Sequence, residues 1–193
     1  GSHLAEYLLA EQSGVEIHGL KRWRSPKDHL GGVMGRIHLH DGDLRDLASL
    51  ITILSRVKPE LIFHLAAQSF VTTSYTAPVD TLDTNVIGTV NLLEAIRICQ
   101  LDPVIHVCSS SEVYGQVRKE DIPIREDCPF RPVSPYAVSK VGEDMAALMF
   151  YEAYGVKTIR SRMFTHSGPR RGEVFVDSFF AQQLARIEQG VQE

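Results

Sequence analysis

Short apolar segments of strand length alternate with longer amphipathic segments along the whole chain. The segments with strand character are 15–20, 36–40, 61–65, 104–108 and 157–163. The segments with helical periodicity are 4–11, 46–57, 81–98, 136–153 and 175–189. Alternation of this kind predicts an α/β fold in which right-handed helical crossovers join parallel strands. We therefore expect one Rossmann-like, doubly wound parallel sheet, formed as a single domain over residues 1–193.

Charge and cysteine content limit the partners of such a domain. The net charge is −4, and the three cysteines form no C-x-x-C pair. A negative net charge gives no reason to expect nucleic acid or an anionic membrane as partner. No apolar run reaches the roughly 20 residues that a membrane-spanning helix needs, and an odd set of free thiols favours a reducing compartment. We expect a cytoplasmic protein.

The start of the chain bears on cofactor binding. Helix 4–11 has no strand before it, so Gly1 is either a remnant of an expression tag or the last glycine of a phosphate-binding turn. The order of the following elements favours the second interpretation. The position about 20 residues further on then contacts a dinucleotide ribose, where an acidic residue would favour NAD. Here Lys21 and Arg22 stand at that position, and cations suit the 2′-phosphate of NADP. The alternative is a solvated basic turn.

Polar groups capable of chemistry follow the strand 104–108. The strand runs directly into 109–115, with the sequence SSSEVYG, so that hydroxyls and the carboxyl of Glu112 stand at its end. The run 66–69, with small side chains, similarly follows strand 61–65. In parallel sheets the ligand crevice lies at the carboxyl ends of the strands. We expect both segments to face one cleft.

The helix at 136–153 carries a pair of residues suited to proton transfer. Ser134 is the expected N-cap and Pro135 the first helical residue, which places Tyr136 and Lys140 one turn apart on one face. A tyrosine phenol has a reference pKa of about 10, and a neighbouring ammonium lowers that pKa. Tyr136 can therefore exchange a proton with an alcohol or sugar hydroxyl. A metal site is not expected, because the histidines and aspartates of 38–43 lack a recognised ligand spacing.

Together these segments resemble the extended short-chain dehydrogenase/reductase superfamily and, within it, the GDP-mannose 4,6-dehydratases. The run 136–140 (YAVSK) is similar to the catalytic Y-x-x-x-K motif, and 64–69 (HLAAQS) is similar to the strand-four motif of the superfamily. The run 109–115 is similar to the subfamily motif S-T-S-E-x-Y/F-G. The longest match is 164–176 (FTHSGPRRGEVFV), which is similar to F-N-H-x-x-P-R-R-G-x-x-F-V.

The resemblance implies roles for individual residues. Catalysis would fall to Ser110, Glu112, Tyr136 and Lys140. The cofactor would be held by Gly1, Arg22, Asp43, Leu44, Leu65, Ala66, Ala67, Ser69, Tyr136, Lys140 and His166. Substrate contacts would come from Ser111, Glu112, Thr165, Arg170 and Arg171. Two positions depart from the subfamily pattern: Ser110 replaces a threonine but keeps its hydroxyl, and Thr165 replaces an asparagine and loses its amide.

The resemblance also implies a reaction. GDP-mannose would be oxidised at C4 by NADP, with NAD as the less favoured cofactor, would lose water across C5 and C6, and would regain the hydride at C6 to give GDP-4-keto-6-deoxymannose. It further implies that the first strand and the C-terminal substrate lobe are missing from this chain. The substrate-binding region would then begin at about 164–193, and the protein would assemble as a homodimer or homotetramer.

Other functions remain open from the sequence. A GDP-4-keto-6-deoxymannose reductase would share the fold and the Tyr136–Lys140 pair, but would consume NADPH. A nucleotide-sugar 4-epimerase would not need the carboxylate of Glu112. A non-catalytic alternative is a truncated module that binds nucleotide or dimerises through helices 81–98 and 136–153.

Overall fold

The computed structural model describes residues 1–192 and contains strands and helices in the predicted alternating order. The strands are β1 (Ile17–Lys21), β2 (Ile37–Asp41), β3 (Leu61–His64), β4 (Val104–Cys108) and β5 (Thr158–Ser161). The helices are α1 (Ser2–Glu11), α2 (Leu47–Val57), α3 (Val71–Thr76), α4 (Pro78–Leu82), α5 (Gly88–Ile98), α6 (Pro135–Tyr154) and α7 (Val176–Glu188). A π-helical turn, Asp83–Ile87, joins α4 to α5. Within residues 1–192, no helix combines the length and apolarity needed to cross a bilayer.

All strand pairings are parallel, which confirms the predicted α/β architecture. The strands form two hydrogen-bonded groups, β1–β2 and β3–β4–β5, so the edges of β1 and β3 are not paired with each other. In the doubly wound strand order, the strand that opens the fold lies between these two edges. Residues 1–192 contain no strand at that place. The division of the sheet agrees with the expectation, from the family resemblance, that residues 1–192 lack the first strand of the fold.

The hydrophobic core lies between the three-stranded sheet and the helices α5 and α6. Ile105 and Val107 of β4 are fully buried and belong to the same cluster as Leu93 and Ile96 of α5 and Phe150 of α6. Burying side chains of this size stabilises the fold by about 1.5–3 kcal/mol each. The core therefore fixes α6, the helix with the Tyr–Lys pair, against the strand that ends in the serine-rich segment.

The helical region before α5 begins earlier than the predicted start at residue 81. Helices α3 and α4 occupy most of 71–82, and Ser74 and Thr81 within them are fully buried. Each hydroxyl donates to a backbone carbonyl three or four residues earlier, at distances of 2.6 and 2.9 Å. Such local bonds usually favour turns and caps over helix interiors. The hydroxyl-rich composition therefore hid this helical segment from the sequence pattern.

A buried carboxylate ties α6 to β5. Asp144 is fully buried and accepts hydrogen bonds from Arg160 at 2.6 Å and from Arg162 at 2.8 Å. Burial by itself would raise the pKa of Asp144, but the bonds from Arg162 and Arg160 outweigh it and hold the pKa below its usual value. Arg162 also donates to the Tyr114 hydroxyl at 3.0 Å, which connects this cluster to the segment after β4.

Replacing Asp144 by alanine is expected to lower the free energy of unfolding by about 3 kcal/mol, because two guanidinium groups lose their buried partner. This value lies at the low end of the range for broken buried pairs, since both arginines keep some solvent contact. Urea denaturation measures the effect. Asp80→Ala is a suitable control: Asp80 pairs with Arg45 at the surface, where an ion pair contributes at most about 1 kcal/mol. An equal loss of unfolding free energy in Asp144→Ala and Asp80→Ala would contradict the conclusion that Asp144 is a buried partner of both arginines.

Candidate active site

The Tyr136–Lys140 pair is held at the start of α6. The Ser134 hydroxyl accepts from the Ala137 amide at 3.0 Å and Pro135 occupies the first turn, as the sequence predicted. Tyr136 and Lys140 are 8% and 4% exposed. The Lys140 ammonium donates to the Cys108 carbonyl at 2.8 Å, so it lies at the carboxyl end of β4. The helix cap therefore determines where both reactive groups meet the sheet.

Opposing effects act on the pKa of the Tyr136 hydroxyl, and the three largest are burial, Lys140 and Ser110. Burial raises the pKa of Tyr136, while the positive charge of Lys140 and the Ser110 hydroxyl lower it, and burial has the largest effect. The net pKa is raised above the ordinary tyrosine value. Without Lys140 and Ser110, burial would act unopposed. These two residues therefore favour the phenolate that a proton acceptor at this position requires.

The serine-rich segment turns sharply at the end of β4. Ser110 caps a 3₁₀ turn, Ser111–Tyr114, by accepting from the Glu112 amide at 3.2 Å. The turn packs against α6, and the Glu112 side chain is exposed. Buried Ser109 donates to the Lys140 carbonyl at 3.3 Å. The structure thus places Ser110, Ser111 and Glu112 at the strand end where Lys140 is anchored.

Gly115 fixes the direction in which the chain leaves this turn. Its φ angle is +51°, and a Cβ atom there would lie 1.7 Å from the Arg131 carbonyl oxygen. Only glycine accepts both the left-handed φ and this approach of backbone to backbone. The position of Glu112 therefore depends on a glycine three residues later.

The end of β3 is connected to α6 through Asn85, which the sequence analysis did not single out. Asn85 is fully buried in the π-helical turn, where its side-chain oxygen accepts from the Gln68 amide at 2.7 Å. Its side-chain nitrogen donates to the Ser139 hydroxyl at 2.8 Å. The predicted cofactor residues Leu65, Ala66 and Ser69 are exposed and Ala67 is half-buried at this strand end. π-helical turns are frequent at functional sites, but the sequence gives no signal for one here.

A cavity of about 590 Å³ opens beside the ends of β1 and β2. Its lining includes two of the predicted cofactor residues, Arg22 and Asp43, together with Trp23. Hydrogen bonds from Arg45 hold the pKa of Asp43 below its usual value, so Asp43 is a carboxylate. The ammonium of Lys21 is paired with Asp41. The side chain of Arg22 is exposed, so Arg22 is the cation that a ligand in the cavity can reach. Leu44 lies buried next to Asp43.

The predicted residues of the C-terminal segment already have partners within the chain. Arg170 donates to Glu6 at 2.9 Å and to Ser2 at 3.3 Å, which places it at the start of α1 near Gly1. Arg171 lies 3.4 Å from Asp177 and donates to the His166 carbonyl at 2.8 Å. Thr165 and His166 are exposed. The segment meets the end of β4 through the Ser111 amide, which donates to the Met163 carbonyl at 3.0 Å.

Histidines cluster on β1 and β2 without forming a metal site. The ring of His18 stacks on His38 and His40, with centroids 4.9 and 5.2 Å apart. Among residues 1–192, no group of three or more histidine, cysteine, aspartate or glutamate side chains is arranged to hold a metal ion.

The parallel α/β fold, with a Tyr–Lys pair and a serine-tipped strand at one carboxyl edge, is that of an extended short-chain dehydrogenase/reductase. A protein-family model described as GDP-mannose 4,6 dehydratase matches residues 1–193. GDP-mannose 4,6-dehydratases from Vibrio cholerae and Homo sapiens are 39% and 36% identical over 100% and 98% of this chain. The chain belongs to the GDP-mannose 4,6-dehydratase family. It spans about half the length of these relatives, 54% and 53%.

Solved structures agree on the fold and differ in cofactor. A dTDP-glucose 4,6-dehydratase from Streptomyces venezuelae, with NAD and TYD bound, superimposes with a TM-score of 0.87 at 29% identity, covering 96% of this chain and 58% of that one. RMD from Pseudomonas aeruginosa, complexed with NADPH, gives 0.76 at 34% identity, covering 86% and 60%. Similar structures therefore bind either nicotinamide cofactor.

Proposed function

We propose that this chain carries the catalytic groups and the cofactor site of an NADP-dependent GDP-mannose 4,6-dehydratase, which converts GDP-mannose to GDP-4-keto-6-deoxymannose and water. The observation that carries the proposal is the meeting of the Tyr136–Lys140 pair with the turn that bears Ser110 and Glu112, at the carboxyl end of β4. Oxidation at C4 needs a base at O4, and elimination needs a second base at C5. Tyr136 and Glu112 supply one group for each task.

Each residue has a defined part in the reaction. Tyr136, as phenolate, removes the O4 proton, and Ser110 hydrogen-bonds the same oxygen. The 4-ketone makes the C5 proton acidic, and Glu112 removes it. The C6 hydroxyl leaves as water with the proton that Glu112 took from C5, passed on directly or through a serine hydroxyl. C5 is finally reprotonated from solvent, and Tyr136 releases the O4 proton to solvent. A bound nicotinamide would supply reversible hydride transfer, so that the net change is loss of water.

The cavity beside β1 and β2 fits the adenosine part of the cofactor. The exposed Arg22 guanidinium at its rim suits a 2′-phosphate, and Asp43 and Leu44 would contact the adenine. The first turn of α1, which Gly1 caps without a side-chain hydrogen bond, would offer its backbone amides to the pyrophosphate. The residues nearer to the nicotinamide would be Leu65, Ala66, Ala67, Ser69, Lys140 and His166. NAD is the alternative cofactor.

The substrate diphosphate would bind Arg170 and Arg171, and the hexose would contact Ser111, Glu112 and Thr165. Both arginines are paired within the chain, with Glu6 and Asp177 respectively. Binding a diphosphate would therefore require exchange of these carboxylates for phosphate oxygens. A guanidinium can make that exchange without losing hydrogen bonds, because carboxylate and phosphate accept its fork in similar geometry.

An Arg22→Ala substitution is expected to weaken NADP⁺ binding by roughly tenfold or more, since a charge-assisted hydrogen bond contributes about 1.5–3 kcal/mol. Binding of NAD⁺ should change little, because NAD⁺ has no 2′-phosphate. Calorimetric titration with each cofactor measures both affinities. Arg118→Ala, which removes an exposed arginine far from this cavity in sequence, is the control. Equal weakening of NADP⁺ and NAD⁺ would argue against a 2′-phosphate contact.

Incubation of the protein with GDP-mannose and a catalytic amount of NADP⁺ tests the proposal. A 4-keto sugar product without net formation of NADPH is the expected result. A 4-keto-6-deoxymannose reductase would leave GDP-mannose untouched and consume NADPH with the keto sugar, and a 4-epimerase would form a sugar that keeps its C6 hydroxyl. Normal folding and cofactor binding with no product from any nucleotide sugar would favour a non-catalytic binding module.

A further inference from the structure

Glu143 is a buried carboxylate beside the catalytic pair that the Y-x-x-x-K motif does not include. It follows Lys140 by three residues on α6 and is 1% exposed. Its Oε2 accepts a hydrogen bond from the Lys140 ammonium at 2.8 Å. The same ammonium donates to the Cys108 carbonyl at 2.8 Å. Lys140 therefore has two acceptors within the protein before any cofactor is bound, a backbone carbonyl and the carboxyl group of Glu143.

The titratable groups that act on this pair lie on three elements. On α6 itself they are Tyr136 and Asp144, on β4 the Cys108 thiol, and on β3 His64. Burial lowers the pKa of His64 to about 4, so this imidazole is neutral at physiological pH. Burial likewise raises the pKa of the Cys108 thiol. The charge of Asp144 is balanced by two arginines in and just after β5, which donate hydrogen bonds to its carboxylate. Glu143 is thus the group that balances Lys140.

We propose that Glu143 is a positioning residue, which holds the Lys140 ammonium beneath the end of β4 and determines how much of its positive charge reaches the Tyr136 hydroxyl. The inference rests on the proposed role of Tyr136 as proton acceptor. A lysine held by a carboxylate and a carbonyl has one N–H left for a cofactor ribose. A lysine without Glu143 would be freer to move and would act on Tyr136 as an uncompensated cation.

The charge of Glu143 changes within the physiological range. Burial raises the pKa of Glu143 to about 7, although Lys140 lowers it. The ionised carboxylate raises the pKa of Tyr136, against the effect of Lys140. As pH rises through about 7, Glu143 becomes ionised. Its negative charge then cancels part of the effect by which Lys140 lowers the pKa of Tyr136. Removal of the carboxylate should lower the pKa of Tyr136 and bring its ionisation to lower pH.

Glu143→Gln tests the proposal because it removes the charge and keeps an oxygen that can accept from Lys140. The ionisation of Tyr136 is followed by the ultraviolet absorbance of phenolate, with the titration of a Tyr136→Phe protein subtracted. We expect the Tyr136 transition in Glu143→Gln to lie about one pH unit below that of the unmodified protein. The acidic limb of the dehydratase pH profile should move in the same direction. Glu152→Gln, at an exposed site on the same helix, should leave both unchanged.

The absorbance titration needs no turnover, so it separates this inference from the proposed function. A shifted phenolate transition in a protein without dehydratase activity would support the role of Glu143 and reject the function. Superimposable titrations of Glu143→Gln and the unmodified protein, with matching circular dichroism, would overturn the inference. Failure of Glu143→Gln to fold, while Glu143→Asp folds and titrates normally, would assign the carboxylate to stability and would equally overturn it.

Discussion

Tyr136→Phe is expected to fold normally and to lower the rate of GDP-mannose turnover by roughly 10²–10⁴-fold, the usual contribution of a general base. Phenylalanine keeps the aromatic ring that is buried at the start of α6, so packing should be preserved. In the proposed reaction the lost hydroxyl is the group that removes the O4 proton. Without it, oxidation at C4 should be slowed by the same factor, and bound cofactor should stay mostly oxidised in the first moments after substrate is added.

Tyr151→Phe is the matched control, because Tyr151 lies on the same helix with its side chain half exposed to solvent. Steady-state turnover and the absorbance of reduced nicotinamide measure the two effects. Turnover by Tyr136→Phe at the rate of the control protein would remove Tyr136 from the mechanism.

Glu112→Gln is expected to separate the two halves of the reaction. Oxidation at C4 should proceed, because it depends on Tyr136, whereas removal of the C5 proton should slow by a factor of roughly 10² or more. Reduced cofactor should then accumulate on the enzyme in a single turnover, and 4-keto-6-deoxy product should appear only slowly. The exposed position of Glu112 and the absence of a packing role make a fold defect from this substitution unexpected.

Rapid mixing of substrate with a stoichiometric amount of protein and cofactor follows the reduced nicotinamide directly. Glu120→Gln, an exposed glutamate in the loop after Gly115, controls for a general loss of negative charge. An unaltered rate of product formation by Glu112→Gln would show that another group takes the C5 proton.

Local signals made helix α6 predictable. Ser134, Pro135 and Gly155 mark the two ends of α6 by chemistry that acts within a few residues, and the structure has the cap, the proline and a left-handed glycine at those positions. The apolar run of β4 was predictable for a similar reason. Its residues match the buried strand, and the polar segment after it coincides with the strand's end.

Pairing across the fold could not be predicted in the same way. The division between β1 and β3 depends on which strands are neighbours, and strand patterns contain no information about neighbours. The ion pair of Arg170 with Glu6 joins residues 164 positions apart. No spacing in the sequence indicates that Arg170 has a partner at the start of α1.

The burial of charged side chains could not be predicted from the sequence either. Glu143 and Asp144 are adjacent on α6, where helical periodicity alone would place acidic residues at the surface. Both are buried because Lys140 lies within reach of one and two arginines within reach of the other. Asn85 is similar, since its role comes from a π-helical turn that aims its amide at the ends of two other elements.

The transfer of deuterium from C4 to C6 is the most direct test of the proposed reaction, in which one hexose is oxidised at C4 and reduced at C6 beside one nicotinamide. GDP-mannose deuterated at C4 is incubated with the protein and a catalytic amount of unlabelled NADP⁺, and the product is examined by NMR. We predict a 4-keto sugar with deuterium in its C6 methyl group and no lasting reduction of the cofactor. Deuterium left at C4, or lost to the cofactor pool, would contradict the account.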